Sequence, residues 1–141
     1  MIHKSVWLGC TPGRAFALFT GEISDWWPAD RRHIRDGDSE IFLLQSGRFF
    51  ERGGDGKEID LGRVLSWEAP DRLLLAYYVG NDTQHPTEVE IRFVPDGEGT
   101  RVTVDHRTLP GCEELWSRRE PILDRSWDSV LAALGSASSG E

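Results

Sequence analysis

Cysteine and histidine are scarce in this chain, and neither is spaced for metal binding. The 141 residues include two cysteines, Cys10 and Cys112, and four histidines. The cysteines form no CxxC motif, and their wide separation favours free thiols over a disulfide bridge. No two histidines have HxxxH or HExxH spacing. We therefore expect no metal site.

Signatures of nucleotide binding and membrane insertion are also lacking. There is no GxGxxG, Walker or GxSxG motif, and the glycine-rich run at 53–56 is typical of a hairpin turn. No run of about 20 apolar residues predicts a membrane span. Residues 1–10 lack the apolar core of a signal peptide. We therefore expect a cytoplasmic protein without an organic cofactor.

Basic residues are outnumbered by acidic ones. The chain has 16 Lys and Arg against 24 Asp and Glu, a formal net charge of −8. Nucleic acids and anionic membranes attract basic surfaces, so this balance argues against both as main partners. Hydrophobic residues make up 38% of the chain and charged residues 28%, which is typical of a globular protein. The length suits one domain.

The beginning of the chain predicts a strand followed by a helix. Residues 2–8 are short and rich in apolar side chains, which indicates a first strand. Thr11 is a suitable N-cap, and Pro12 suits the first helical position because its missing N–H costs nothing there. Gly21 is expected to end this helix.

A second short helical turn should follow. It places Ile23, Trp26 and Trp27 on one face. Pro28 is expected to stop it, and residues 29–39 are polar and charged, which predicts a loop. Since adjacent tryptophans diverge, we expect one to anchor the turn to the sheet and the other to wall a cavity mouth.

Strand patterns separated by turn residues dominate the middle of the chain. Val89, Ile91 and Phe93 alternate with charged residues, and such alternation predicts an antiparallel sheet with one covered and one wet face. The remaining strands show the same punctuation. The predicted strands are 40–45, 48–52, 58–67, 72–79, 87–94 and 100–107.

The last block has helical period. Ser117 and Glu120 have capping-box spacing, although Pro121 makes the start uncertain by a few residues. Gly135 is expected to end the helix, which leaves residues 1–135 as one domain and 136–141 as a flexible tail. Strands with helices at both ends indicate an α+β protein. The apolar stripe of this helix comprises Leu123, Trp127, Val130, Leu131 and Leu134.

Taken in order, several segments resemble the SRPBCC (START-like, helix-grip) superfamily. Within it, the chain is most similar to the family named for the activator of the heat shock protein 90 ATPase, in its bacterial single-domain branch. The resemblance implies a curved antiparallel sheet wrapped around a long C-terminal helix, with two short helices between the first and second strands. The segments are AFALFT (15–20), WWP (26–28), GRFFER (47–52), GRVLSWEAP (62–70), EVEIRF (88–93), GTRVTVDH (99–106) and WDSVL (127–131).

A helix-grip fold implies a cavity between helix and sheet. Its lining should come from the covered face, the tryptophan turn and the final helix. Each of these side chains has packing as its alternative role, because burying an aromatic or aliphatic group is favourable without a ligand. The predicted lining residues are Trp26, Trp27, Phe49, Val64, Leu75, Tyr77, Val89, Ile91, Val104, His106, Trp127 and Leu131.

Polar side chains on the covered face are the most informative candidates. His106 is in register with Val104, so it is either a strand-end histidine bonded to backbone or a polar handle in the pocket. The Tyr77 phenol could orient a ligand. If Phe49 faces inward, Glu51 does too, and a buried Glu51 could act as an acid or base. If Val64 faces inward, Arg63 points outward.

We therefore expect a module that binds a small hydrophobic or amphipathic molecule in this cavity. One alternative is a protein-interaction module, either co-chaperone-like or a homodimer. A less favoured one is a cyclase or hydrolase using His106, Tyr77 and Glu51, since no nucleophile–base motif supports it. We name no catalytic residue from the sequence.

Overall fold

Seven antiparallel strands form one curled sheet, which wraps a long C-terminal helix. The computed structural model describes residues 1–34, 37–79 and 84–139. The sheet order is β1-β7-β6-β5-β4-β3-β2, so the first strand of the chain pairs with the last. The elements are β1 (Ile2–Leu8), α1 (Pro12–Phe19), α2 (Ile23–Trp26), a 3₁₀ turn (Ala29–Arg31), β2 (Glu40–Leu43), β3 (Arg48–Arg52), β4 (Glu58–Glu68), β5 (Arg72–Tyr77), β6 (Thr87–Asp96), β7 (Gly99–Arg107) and α3 (Glu113–Ser139).

This architecture confirms the α+β helix-grip prediction, including the two short helices between the first two strands. β1 and β3 have the predicted bounds, whereas β2 and β5 each end two residues early. Parts of the predicted loops and tail, at residues 35–36, 80–83 and 140–141, lie outside the described residues.

Helix α1 begins as its sequence predicts. The Thr11 hydroxyl accepts a hydrogen bond from the Arg14 backbone N–H at 3.2 Å, and Pro12 occupies the first turn. The predicted stop at Gly21 is slightly late, because the helix ends at Phe19 with Thr20 as its C-cap. The Thr20 hydroxyl donates to the Phe16 carbonyl at 2.7 Å, which satisfies an acceptor in the last turn.

Helix α3 starts earlier and ends later than predicted. The Cys112 carbonyl accepts from the Trp116 N–H, which sets the first turn upstream of the predicted Ser117 cap. Pro121 therefore lies inside the helix. Gly135 does not end it either, although glycine costs about 1 kcal/mol in a helix interior. Gly135 lies against Val6 of β1, so packing on the sheet holds the helix through this point.

The inner face of the sheet and one face of α3 form the core. Alternate residues of β5, β6 and β7 point inward, as the alternating pattern predicts. The predicted stripe of α3 is fully confirmed, since all five of its members are buried. The buried inner-face residues of these strands are Leu73, Leu75, Tyr77, Thr87, Val89, Ile91, Phe93, Thr100, Val102, Val104 and His106.

Gly62 allows an aromatic pair to cross the sheet. It is in register with Phe49 on β3 and with Tyr77 on β5. A Cβ atom at Gly62 would lie 2.3 Å from the Ala76 carbonyl oxygen and 3.1 Å from Cδ2 of Phe49. The backbone oxygen cannot move without shifting β5, so no other residue fits here.

We expect Gly62→Ala to lower the free energy of unfolding by about 1–3 kcal/mol, because the added methyl group overpacks the strand pair. Urea denaturation followed by far-ultraviolet circular dichroism measures this change. Gly13→Ala is the matched control, since its Cβ would meet only the Thr11 hydroxyl, at 4.0 Å. Equal stability of the Gly62→Ala protein and the wild type would contradict the close approach.

Candidate functional site

His106 is fully buried and both of its ring nitrogens have partners. The Trp127 indole N–H donates to Nδ1 of His106 at 2.9 Å, and Nε2 lies 2.6 Å from the Thr87 hydroxyl. An indole nitrogen can only donate, so Nδ1 must be the unprotonated nitrogen. The Nε2–H then donates to Thr87, whose own hydroxyl donates to the Tyr77 carbonyl at 3.3 Å. This series of hydrogen bonds joins α3 to β7, β6 and β5.

Burial keeps His106 and Tyr77 neutral. It lowers the pKa of His106 from its ordinary 6.5 to about 3, and the positive N-terminus adds a smaller effect in the same direction. Burial also raises the pKa of the Tyr77 phenol well above 10.0. At neutral pH, His106 is therefore a fixed hydrogen-bonding group and a poor general base.

Aromatic rings connect this histidine to the tryptophan turn. Tyr77 stacks on Trp127 with 5.7 Å between ring centroids and on Phe49 with 6.2 Å. Its ring also meets His106 edge-on at 5.1 Å. Phe49 in turn packs edge-on against Trp27 at 6.3 Å. The predicted residues thus form one continuous row of rings between sheet and helix.

The two adjacent tryptophans have different roles, as expected, but the anchor differs. The Trp26 indole donates to the Leu18 carbonyl at 2.7 Å and its ring packs on Phe19, so it anchors α2 to α1 rather than to the sheet. Trp27 contacts the sheet through Phe49 and lines a surface cleft of about 630 Å³. The expectation that one tryptophan walls a cavity mouth stays a prediction.

The aliphatic candidates lie in the core. Val64 is half-buried and packs against the core while bordering a separate cleft beside Arg63, which is exposed. The inward Val64 and outward Arg63 match the facing we expected. Their role as a ligand lining stays a prediction, because in this structure the side chains pack against one another. The fully buried aliphatic candidates are Leu75, Val89, Ile91, Val104 and Leu131.

Glu51 faces inward beside Phe49, as the strand period predicts, and is fully buried. Its carboxylate accepts hydrogen bonds from the backbone N–H groups of His33 at 2.9 Å and Ile34 at 3.2 Å. The His33 ring lies 3.8 Å from the same carboxylate. Glu51 therefore fixes the segment after the 3₁₀ turn, whereas Tyr77 and His106 contact each other. Glu51 therefore has different hydrogen-bond partners from Tyr77 and His106. The residues of a catalytic group would instead contact one another.

Arg32 holds the same segment from the other side. Its guanidinium donates to the backbone carbonyls of Trp27 and Ser24 and, at 2.9 Å, to that of Ser39. Arg32 and Glu51 thus both form hydrogen bonds with backbone groups of this segment. These bonds tie the described residues of the segment together.

A third cleft, of about 370 Å³, opens between this loop and α3. Val79 and Leu123 form its apolar part, and both pack against the hydrophobic core. Ile122 is 55% exposed at the rim, and Ser126 completes the helix side. The loop side comprises Asp30, Arg31, Arg32 and His33. The ring of Trp127 lies one residue further along α3.

Sequence reasoning did not identify the residues that line this cleft between the loop and α3. Residues 29–39 read as a polar loop, and nothing local in the sequence indicates that Arg31 faces a helix far along the chain. An exposed Ile122 next to the buried Leu123 was the one available signal, since it widens the apolar stripe of α3 toward the loop.

The described part of the chain shows no group of three or more His, Cys, Asp or Glu side chains arranged to hold a metal ion. In the same part of the chain, no helix has both the length and the apolar character that a membrane span requires. Neither Cys10 nor Cys112 forms a disulfide bond, as expected.

We expect Glu51→Gln to lower the free energy of unfolding by about 1–3 kcal/mol. The amide offers one acceptor where the carboxylate offers two, so one buried backbone N–H loses its partner. Chemical denaturation measures the loss, and Glu40→Gln on the exposed start of β2 is the matched control. Equal losses in the two variants would show that the backbone bonds to Glu51 have no special weight.

We also expect His106 to make stability depend on pH. Between pH 6.5 and about 3 the unfolded chain binds a proton at this residue that the folded protein does not. The free energy of unfolding therefore falls as the pH decreases through this window, by up to about 1.4 kcal/mol per pH unit from this group.

The measurement compares urea midpoints at several pH values for wild type and His106→Gln, which should show a flatter profile. His3→Gln, which removes an exposed histidine whose Nδ1 pairs with Asp105, is the comparison for the loss of a histidine outside the core. Nuclear magnetic resonance of the wild type provides a direct check. A His106 ring that titrates near pH 6.5 in the folded protein would contradict the assignment.

Solved structures of other proteins share this fold over nearly the whole chain. CalC, a self-sacrificing resistance protein from Micromonospora echinospora, is 24% identical with a TM-score of 0.77, covering 99% of this chain and 94% of CalC. The anthrahydroquino-gamma-pyrone synthase Txn09 is 26% identical with a TM-score of 0.61, covering 96% and 94%. The Aha1 dimer of Colwellia psychrerythraea is 15% identical with a TM-score of 0.60, covering 96% and 93%.

No curated protein matches the sequence. The protein family described as "Activator of Hsp90 ATPase homolog 1-like protein" matches residues 10–137, which is almost the whole chain. The matched residues include the tryptophan turn, the inner-face strands and the final helix, which carry the resemblance described above. The chain belongs to the activator of Hsp90 ATPase homolog 1-like family.

Proposed function

We propose that this protein binds a small hydrophobic or amphipathic molecule between the sheet and α3, and that the molecule enters at the cleft beside Ile122. The observation that carries the proposal is the continuity of this cleft with the core. Val79 and Leu123 belong to both, so an apolar group that enters the cleft meets apolar side chains directly. Its volume of about 370 Å³ is within the usual range of ligand sites.

The row of buried rings between sheet and α3 favours a flat, unsaturated ligand. Trp127, Tyr77 and Phe49 stack on one another there, and an aromatic group inserted beside them would gain stabilisation from offset stacking. The relative Txn09, a synthase of an anthrahydroquino-gamma-pyrone, supports the same ligand class, since the name of its product describes fused rings. A fused-ring or otherwise aromatic molecule is therefore the ligand class that we favour.

Binding is better supported than acid–base catalysis. His106 is neutral and hydrogen-bonded through both ring nitrogens, and Glu51 is occupied by backbone N–H groups. Neither group is arranged to transfer a proton at neutral pH. The co-chaperone-like alternative rests on family membership alone, and the homodimer alternative on the Aha1 relative, so both stay predictions.

The test uses N-phenylnaphthylamine, an uncharged aromatic probe whose fluorescence rises in apolar surroundings. We expect the wild-type protein to bind it and Ser126→Trp to weaken binding about tenfold or more, because the indole fills the cleft. Ser117→Trp is the control, because it makes the same substitution at an exposed position elsewhere on α3.

Native mass spectrometry of the purified wild-type protein complements the titration, since a copurified molecule would reveal the chemical class of the natural ligand. Absence of probe binding to the wild type, or equal binding by Ser126→Trp and wild type, would overturn the proposed site. Thermal melting confirms that each variant is folded.

A further inference from the structure

Arg31 has a guanidinium whose hydrogen-bonding capacity is largely unused. Its Nη2 lies 3.5 Å from the Ser129 hydroxyl of α3, the outer limit for a hydrogen bond. Its Nε is buried and has no hydrogen-bond partner among the described residues. Leaving a charged donor unpaired in a buried position is costly, and native proteins seldom do so without a reason.

The two poorly satisfied nitrogens are adjacent on the guanidinium. Nε and Nη2 form the edge of arginine that binds carboxylates and similar oxyanions through two parallel hydrogen bonds. Arg31 also lines the cleft beside Val79 and Ile122. An oxyanion next to Ser129 would therefore meet this edge of Arg31 while the rest of the molecule contacts apolar side chains.

The charge distribution around the cleft points the same way. The chain as a whole carries a formal net charge of −8, yet three consecutive basic residues, Arg31, Arg32 and His33, line this cleft against the single acidic side chain of Asp30. Arg32 is occupied by backbone carbonyls, and His33 lies beside the Glu51 carboxylate. Among the described residues of the cleft, Arg31 is the cation whose guanidinium has a buried nitrogen without a partner.

We propose that the ligand of this site is an amphipathic organic anion, and that Arg31 binds its oxyanion at the mouth of the cleft while the apolar part lies against Val79, Ile122 and Leu123. The proposal rests on the proposed function, since it names the chemical class of ligand for the same site. It makes Arg31 a determinant of specificity, because an uncharged analogue leaves its buried nitrogen unpaired.

Two probes of the same shape class separate the two proposals. Anilinonaphthalene sulfonate carries a sulfonate on the same aromatic framework that N-phenylnaphthylamine presents without charge. Titrations with both probes are compared for wild type, Arg31→Gln and Arg125→Gln. Arg125 is exposed on α3 outside the cleft, so its variant removes the same charge without touching the site.

We expect Arg31→Gln to weaken binding of the sulfonate probe by about tenfold or more, with little change for the uncharged probe. Arg125→Gln should leave both affinities near the wild-type values. Arg31→Lys should recover only part of the loss, because lysine keeps the charge and lacks the two-pronged edge. Thermal melting of each variant confirms that it is folded.

Three outcomes would overturn the inference. The sulfonate probe binds Arg31→Gln as tightly as the wild type, or Arg125→Gln weakens it equally, or Arg31→Gln weakens both probes alike and so reports packing. In each of these cases, binding of the uncharged probe by the wild type would leave the proposed function standing. Failure of the wild type to bind either probe would overturn both proposals together.

Discussion

The hydrogen bond from the Trp127 indole to the His106 imidazole connects the two layers of this protein. Helix α3 otherwise meets the inner face of the sheet through apolar contacts, which are strong but not directional, while Lys4 of β1 forms ion pairs with Asp124 and Asp128 at the edge of the sheet. The indole N–H and the imidazole nitrogens are buried, so each must find a partner or destabilise the fold. Trp127, His106 and Thr87 satisfy one another in a single order, and this order fixes the rotation of α3 over the strands.

Hydrogen bonds with two buried or half-buried side chains position the segment that follows α2. Glu51 accepts hydrogen bonds from the backbone N–H groups of His33 and Ile34, and Arg32 donates to backbone carbonyls of the same segment. Charge-assisted hydrogen bonds of this kind are strong and position a segment well. Arg31 lies toward Ser129 of α3 instead, and its Nε has no hydrogen-bond partner among the described residues.

The sequence predicted the sheet well because alternation is a local signal. The alternation alone predicts that Val89, Ile91 and Phe93 lie on one face of a strand. The same period predicts that Glu51 points inward with Phe49. The bounds of α3 were wrong because local rules compete with packing there. Gly135 has poor helix propensity, yet its neighbour Leu134 is fully buried and the helix continues to Ser139.

The candidate site was only half predictable for the same reason. The ring row could be assigned from strand and helix periods, whereas the cleft depends on a loop meeting a helix that is distant in sequence. The resemblance to the helix-grip superfamily supplied the missing topology but not the position of the opening. Arg31 lies in a stretch of polar residues without periodicity, so the sequence pattern does not distinguish it from an ordinary solvent-exposed arginine.

The bond between Trp127 and His106 also has a kinetic consequence. Its proton is shared between helix and sheet, so water can reach it only when α3 lifts away from β7. Such a proton exchanges with solvent at the rate of that opening, while amides in loops exchange far faster. The indole hydrogen of Trp127 therefore measures how often the two layers separate, and anything bound between them would slow that exchange.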